Sequence, residues 1–229
     1  MLKYLFVTGT DTAVGKTVVS QALLQHLAAL NHSAVGYKPV ATGDKLTADG
    51  WRNQDALLLQ SLSDPIRPYR EISPVTLPGD MRGIYNGEPM DFALMSNGLH
   101  QLSRQAQTVI IDGHGGWQSI LPDYRSYSEW VVHEKLPVVM VIGIQTGCIN
   151  HAILTAQAIA TDGLRLVGWV ANRINPGLAH YAEVLEVLRK KIPAPQIGEL
   201  PYLPRAQQRN LAGYVDLSAV MALKARLTA

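Results

Sequence analysis

An apolar stretch that runs directly into a Gly-Lys-Thr triplet constrains the fold of this chain more than any other feature. Residues 4–7 are apolar and β-prone, and residues 15–17 open a segment whose apolar residues recur at helical spacing. A loop at the start of a helix offers backbone N–H groups and a positive dipole to phosphate oxygens. The Lys16 ammonium can reach the outer phosphates, and the Thr17 hydroxyl can ligate Mg²⁺. The sequence therefore predicts a site for a nucleotide triphosphate.

This loop departs from the common pattern G-x-x-x-x-G-K-[ST]. That pattern places a glycine at position 10, where the chain has Thr10, and the nearest glycine is Gly9. An ordinary glycine turn before a helix is the alternative, but it gives no reason for Lys16 and Thr17 to follow Gly15. We therefore retain the phosphate-loop interpretation.

Length and composition are those of a globular protein. The 229 residues suit a single domain over 1–229, and a net charge of +2 is too small to indicate a nucleic-acid or membrane surface. The lone cysteine, Cys148, cannot form an internal disulfide, which fits a reducing compartment. No signal-peptide pattern follows Met1, and no apolar run reaches about 18 residues, so we expect a cytoplasmic protein.

Strand and helix signals alternate along the chain. Continuous apolar runs predict strands buried on both faces of a parallel sheet at 4–7, 34–37, 108–111, 138–142, 166–171 and 196–200. Helical periodicity predicts helices at 17–30, 53–61, 91–105, 126–134, 150–161, 177–190 and 216–227. This alternation predicts an α/β fold with a doubly wound, mostly parallel sheet and helices on both faces, like that of phosphate-loop NTPases. Segment 63–88, rich in Pro, Asp, Arg and Gly, predicts a long surface connection.

Several polar residues follow the predicted strands, at the sheet edge where ligands of open α/β sheets bind. Lys38 could stabilise a transferring phosphoryl group, although the adjacent Pro39 equally fits a surface turn. Asp112 is the last residue of a predicted strand, a position from which a carboxylate can bind Mg²⁺ directly or through water. The glycines among residues 113–116 allow the backbone to approach a phosphate closely. His114 could bind a phosphate or act as a base, or it could be a loop residue without a role.

Three further positions extend this edge of the sheet. Residues 147–151 open a helix after the fourth strand and suit a second anion, such as a substrate carboxylate. Asn172 follows the fifth strand, where its side-chain amide could form hydrogen bonds with the base of a nucleotide. Asp55 begins the helix after the second strand, and it could be a Mg²⁺ ligand or an acid favoured by the helix dipole.

Seven motifs in order along the chain resemble the dethiobiotin synthetase family in its enterobacterial form. They lie at residues 7–17, 36–40, 53–56, 113–117, 147–152, 168–172 and 198–201. Each motif alone is weak, but seven in register are specific. The resemblance implies a homodimer that uses ATP and CO₂ to close a ureido ring on 7,8-diaminononanoate in biotin synthesis. A substrate amine takes up CO₂ as a carbamate, ATP converts the carbamate to a mixed anhydride, and the second amine displaces phosphate.

The resemblance also implies roles for residues of this sequence. Lys38 corresponds to the catalytic lysine, and Thr17, Asp55 and Asp112 would hold Mg²⁺. The implied ATP contacts are Ala13, Val14, Gly15, Lys16, Thr17, Val18, Asp55, Asp112, Gly113, His114, Gly115, Asn172, Arg173, Pro201, Tyr202 and Leu203. The implied substrate contacts are Thr12, Thr42, Gly147, Cys148, Ile149 and Asn150.

Four departures from the family pattern bear on rate and substrate choice. Where the family often has glutamate this chain has Ala13, and where the family usually has glutamate it has Asp112. His114 stands in place of a small residue. Val184 stands in place of a tyrosine, although Tyr181 lies one turn earlier. Two alternatives therefore stay open: a divergent paralogue with another substrate, or a nucleotide switch of the partition-ATPase type. That switch carries a signature lysine early in the loop, where this chain has an aspartate.

Overall fold

The computed structural model describes residues 2–77 and 88–220, in which short strands and helices alternate. The strands are β1 (Tyr4–Gly9), β2 (Ala34–Tyr37), β3 (Val40–Thr42), β4 (Lys45–Thr47), β5 (Gly50–Arg52), β6 (Val75–Leu77), β7 (Thr108–Asp112), β8 (Val138–Gly143), β9 (Leu166–Asn172) and β10 (Gln196–Leu200). The helices are α1 (Lys16–Ala29), α2 (Gln54–Ser61), α3 (Tyr69–Ile72), α4 (Phe92–Ser103), α5 (Tyr127–His133), α6 (Cys148–Thr161) and α7 (Tyr181–Lys191).

Six strands form one parallel sheet in the order β10-β9-β8-β1-β7-β2. Strands β7 and β8 are buried along their whole length, as continuous apolar runs require in a sheet covered on both faces. Strand β1 lies between two strands that come later in the chain, so the loop after β1 enters the crevice where ligands of such sheets bind. The α/β fold class and all six sheet strands are therefore confirmed.

Helices α2 and α5 begin at residues whose side chains cap them. The Asn53 side chain accepts a hydrogen bond from Ala56 N at the start of α2 (3.1 Å), and Ser126 and Glu129 form a capping box at α5. The predicted helix at 177–190 begins only at Tyr181, because His180 adopts a left-handed conformation (φ 55°). The predicted helix at 216–227 falls largely outside the described residues.

The surface connection predicted over 63–88 is wrong for its first part. This part contains α3 and β6, and β6 pairs in parallel with β3. Ile72 is fully buried, and its carbonyl accepts the Lys38 backbone N–H at 2.8 Å. The hydrophobic residues Ile72 and Val75 are the signal for this packing, and the many prolines and glycines obscured it. Residues 78–87 lie outside the described part of the chain.

The core includes a row of aromatic rings along one face of the sheet. Phe6 contacts both Trp117 (ring centroids 6.3 Å apart) and Tyr127 (5.8 Å), and Tyr127 contacts Trp130 at 5.9 Å. The Trp130 indole N–H donates to Ser96 Oγ at 3.1 Å, which satisfies its one polar group. Within residues 2–77 and 88–220, no helix is long and apolar enough to cross a membrane.

Trp130 and Trp51 offer a matched test of this core. Trp130 is fully buried, whereas Trp51 is 64% exposed on the β4–β5 hairpin. We expect Trp130→Ala to lower the free energy of unfolding by about 3–5 kcal/mol, because it leaves a large cavity. Trp51→Ala should change it by less than about 0.5 kcal/mol. Urea unfolding followed by circular dichroism measures both, and equal effects would contradict the assignment of Trp130 to the core.

Candidate nucleotide site

A cavity of about 290 Å³ lies at the carboxyl edge of the sheet, beside the loop that follows β1. It is lined by Thr12, Ala13, Gly15, Lys16, Thr17, Val18, Lys38, Thr42, Asp55, Gly113, His114, Gly115 and Gln207. All but the last of these residues are among those singled out from the sequence. They come from segments far apart in the chain, which the sheet brings to one edge.

The loop after β1 turns into α1 at Gly15. Its φ of 91° lies in the left-handed region, and a Cβ placed there would approach Asn172 Nδ2 to 2.1 Å. Only glycine fits this position without strain. Asn172 donates from Nδ2 to Val14 O at 2.8 Å, so it holds the loop from behind. Val14 and Asn172 are both buried and do not line the cavity.

The Lys16 side chain folds back over this loop. Its ammonium donates to the carbonyls of Asp11 (3.0 Å) and Thr12 (2.8 Å). Burial lowers the Lys16 pKa to about 8, against the opposing attraction of Asp112. The ammonium therefore borders the cavity as a cation that is held by neutral carbonyl groups, without a carboxylate in contact with it.

Asp112 is a fully buried carboxylate that three donors satisfy. Its Oδ2 accepts hydrogen bonds from Thr17 Oγ1 at 2.8 Å and from Lys38 Nζ at 2.7 Å, and its Oδ1 accepts one from Ser20 Oγ at 3.1 Å. Asp112 therefore lies just behind the cavity wall and orients two of the lining residues. Sequence reasoning missed Ser20, although it lies one helical turn after Thr17 and so shares its face of α1.

Lys38 connects two carboxylates. It is 6% exposed, and its ammonium lies 2.7 Å from Asp112 Oδ2 and 3.9 Å from Asp55 Oδ2. Asp55 lies in the first turn of α2, where the helix cap Asn53 also donates from Nδ2 to Thr42 O at 2.7 Å. That hydrogen bond ties the lining residue Thr42 to the helix that carries Asp55. Within 2–77 and 88–220, no group of three or more His, Cys, Asp and Glu residues forms a metal site.

The oxygens around Lys38 nevertheless suit one hard cation. Asp55 and the Thr17 hydroxyl place oxygen atoms at the cavity, the ligand type that Mg²⁺ prefers, and the Asp112 carboxylate orients that hydroxyl from behind. Magnesium usually completes its shell with water and nucleotide phosphates instead of protein groups alone. These groups therefore fit a nucleotide-bound Mg²⁺, and a dedicated protein cage is not required.

His114 lines the cavity together with the cations Lys16 and Lys38. Burial, followed by the positive charges of Lys38 and Lys16, lowers its pKa from 6.5 to about 4. The imidazole is therefore neutral at pH 7. It adds a polar but uncharged side chain to the cavity wall.

The remaining predicted residues lie away from the lining of this cavity. Gly147 (φ 85°) caps α6, and residues 147–150 form its first turn, with Cys148 buried. Arg173 packs on the Tyr181 ring, with its guanidinium carbon 4.6 Å from the ring centroid. The Tyr181 hydroxyl donates to Glu199 Oε1 at 3.2 Å. Residues 201–203 follow β10 and also do not line the cavity.

Gln207 is the lining residue that sequence reasoning missed. It lies in a short 3₁₀ helix, Ala206–Gln208, beyond the last sheet strand. Its backbone carbonyl is 3.4 Å from Gln21 Nε2 of α1. No pattern in the sequence marks it, because its position depends on how the chain returns to α1 after β10.

Comparisons with known proteins agree on a family. A family model described as an AAA domain matches residues 3–210. An ATP-dependent dethiobiotin synthetase BioD 2 of Salmonella typhimurium is 61% identical over 95% of this chain and 94% of the relative. The protein of the same name from Escherichia coli is 58% identical over 98% of this chain and 97% of the relative.

Among solved structures, the MinC:MinD cell division protein complex of Aquifex aeolicus is similar. The TM-score is 0.63 with 13% sequence identity, over 97% of this chain and 96% of that chain. At this identity the likeness concerns the fold alone. It therefore shows a shared α/β fold and says nothing about a role in cell division.

The His114 pKa has a consequence for stability. Because its folded pKa (about 4) lies below the usual value of 6.5, the unfolded chain binds this proton first as the pH falls. Stability should therefore decrease between pH 6.5 and 4, by on the order of 2–3 kcal/mol from this group. We expect His114→Gln to flatten that part of the profile, measured by urea unfolding at a series of pH values. An unchanged pH dependence would show that His114 ionises freely in the folded protein.

Proposed function

The chain belongs to the dethiobiotin synthetase family, and we propose that it is an ATP-dependent carbon–nitrogen ligase of biotin synthesis. It closes the ureido ring of dethiobiotin on 7,8-diaminononanoate with CO₂. The observation that carries this proposal is the cavity that joins the phosphate loop, Lys38, Asp55 and Thr42. A ligase of this kind needs a nucleotide, a metal and an amine substrate at one place, and these residues supply groups for each.

The phosphate loop would bind ATP through its backbone. Residues 13–15 lead into α1, and the first N–H groups of this helix have no partner within it, so together with the helix dipole they favour an anion. Lys16, held over the loop by Asp11 and Thr12, supplies a cation at the outer phosphates. Thr17, Asp55 and Asp112 would hold Mg²⁺, which neutralises phosphate charge when bound.

Lys38 is the proposed catalytic residue. Its ammonium is buried beside Asp112, so it is preorganised and needs little rearrangement to face a reacting group in the cavity. There it would stabilise the carbamate and the negative charge that develops as the phosphoryl group transfers. The mixed anhydride so formed is attacked by the second amine of the same substrate, which is held close by the walls at Thr12 and Thr42.

The substrate carboxylate would bind at the first turn of α6. The N–H groups of residues 147–150 are directed out of that helix start, which favours an anion. This turn does not line the cavity of the single chain. The family resemblance implies a homodimer with the substrate near the subunit boundary, and we propose that state for this chain. We also propose that it acts in the cytoplasm.

The departures at two positions are compatible with this proposal. Asp112 is one methylene shorter than the usual glutamate, yet its Oδ2 still contacts both Thr17 and Lys38 within 2.8 Å. Ala13 contributes no carboxylate to the cavity wall, which leaves Asp55 as the acidic side chain among the lining residues. Nucleotide binding therefore retains its groups, and the expected effect of Ala13 is on the rate of the chemical steps.

The overall reaction is tested by phosphate release from Mg-ATP and bicarbonate. We expect release to depend on 7,8-diaminononanoate and to yield one ureido product per phosphate, identified by mass spectrometry. Samples without the diamine and without bicarbonate are the controls. Release that is independent of the diamine would contradict a ligase and indicate a nucleotide hydrolase.

The two lysines of the cavity should separate binding from chemistry. Lys16→Ala removes the phosphate cation and should weaken ATP binding by at least about tenfold. Lys38→Ala should lower kcat by about 100-fold or more, with ATP affinity changed by less than about threefold, because its charge is needed mainly during transfer. Calorimetry with ATP and steady-state kinetics measure the two effects, and thermal unfolding checks the fold. Full turnover in Lys38→Ala would remove Lys38 from the mechanism.

A further inference from the structure

One face of α1 holds the chain segment that carries Gln207. Gln21 is 1% exposed, and its Nε2 donates to Arg209 O at 2.8 Å and lies 3.4 Å from Gln207 O. Gln25, one turn later, donates from Nε2 to Arg209 O at 3.2 Å and accepts the Leu211 N–H on Oε1 at 2.7 Å. Two side-chain amides thus satisfy three backbone groups of a segment that has little regular structure of its own.

These contacts are long-range and specific. The partners are separated by 184–188 residues along the chain, and the hydrogen bonds run from side chains of α1 to the backbone of residues 207–211. Backbone groups in an irregular segment must be satisfied by side chains or water if they are not paired in a helix or sheet. The two glutamines therefore help to fix the path of this segment, together with its own hydrogen bonds, such as that from Arg209 Nε to Pro204 O at 3.2 Å.

The same helix carries the phosphate-binding end of the cavity. Lys16, Thr17 and Val18 line the cavity from the first turn of α1, and Gln207 lines it from the segment that Gln21 and Gln25 hold. The polar groups assigned to phosphate belong to the loop and to this first turn. None of the hydrogen bonds made by Gln21 or Gln25 within the described residues involves them. The Gln207 wall and the phosphate loop are therefore held by separate sets of hydrogen bonds.

We propose that Gln21 and Gln25 are positioning residues for the nucleoside part of ATP. Lys38 and Asp55 follow β2 at one end of the sheet and would face the transferring phosphate, whereas the Gln207 wall, which the two glutamines hold against α1, follows β10 at the other end. This inference rests on the proposed use of the cavity for ATP. Their loss should weaken recognition of the nucleoside and leave recognition of the phosphate chain intact. Neither glutamine takes part in the reaction itself.

The test compares ATP with inorganic tripolyphosphate, which has the phosphate chain but no nucleoside. The variants are Gln21→Met and Gln25→Met, singly and together, because methionine keeps the volume but makes no comparable hydrogen bond. Gln101→Met is the matched control, since Gln101 lies exposed on α4. Affinities for both ligands are measured by calorimetry in the presence of Mg²⁺, and thermal unfolding confirms that each variant is folded.

We expect the double variant to bind ATP about tenfold more weakly, because ATP binding must then supply the free energy that orders the Gln207 wall, on the order of one to two hydrogen bonds. Its tripolyphosphate affinity should stay within about twofold of the parent chain, and Gln101→Met should change neither. Gln25→Glu keeps the acceptor for Leu211 N but loses the donor to Arg209 O, so a smaller loss is expected. Equal weakening of both ligands, or no weakening of either, would overturn the inference.

These measurements are independent of the ligase assay. A chain that binds ATP with this pattern but forms no ureido product would retain the positioning role and lose the proposed function. A chain that forms the ureido product, but whose affinities for ATP and tripolyphosphate fall equally in the variants, would retain the proposed function and lose the positioning role. The two failures are therefore distinguishable.

Discussion

The buried carboxylate of Asp112 is the constraint on which the rest of the site depends. A fully buried charge is costly unless it is paired and hydrogen-bonded, and Asp112 is satisfied by one ammonium and two hydroxyls. Lys38 follows β2, whereas Thr17 and Ser20 lie on α1. Because all three must reach one carboxylate at the end of β7, the relative positions of these elements are tightly fixed.

The position of β1 between β7 and β8 makes this arrangement possible. In a parallel sheet the carboxyl ends of all strands lie at one edge, so the loops after β1, β2 and β7 come together although they lie far apart along the chain. The helix α1 then serves two walls of the cavity. Its first turn presents Lys16 and Thr17, while Gln21 and Gln25 hold the segment that returns after β10.

The departures from the family pattern can be weighed against these contacts. A shorter carboxylate at Asp112 costs little if its partners approach it, and here Thr17 and Lys38 lie at 2.8 and 2.7 Å. His114 replaces a small residue with a polar side chain, and burial, followed by the charges of the neighbouring cations, lowers its pKa and keeps it uncharged. Both changes alter the surroundings of the reacting groups and preserve the phosphate loop, which agrees with the identity to ATP-dependent relatives.

The sequence by itself predicted the six sheet strands and the phosphate loop, because apolar periodicity and the Gly15-Lys16-Thr17 triplet are local signals, whereas lining residues such as Thr12 and Thr42 were expected only from the family resemblance. Only the tertiary structure decided that Ser20 orients Asp112 and that Gln207 closes the cavity. It also decided that residues 147–150, which share the sheet edge, lie outside the cavity of the single chain. These outcomes depend on strand order and on hydrogen bonds between residues far apart in the chain, and no local pattern encodes either.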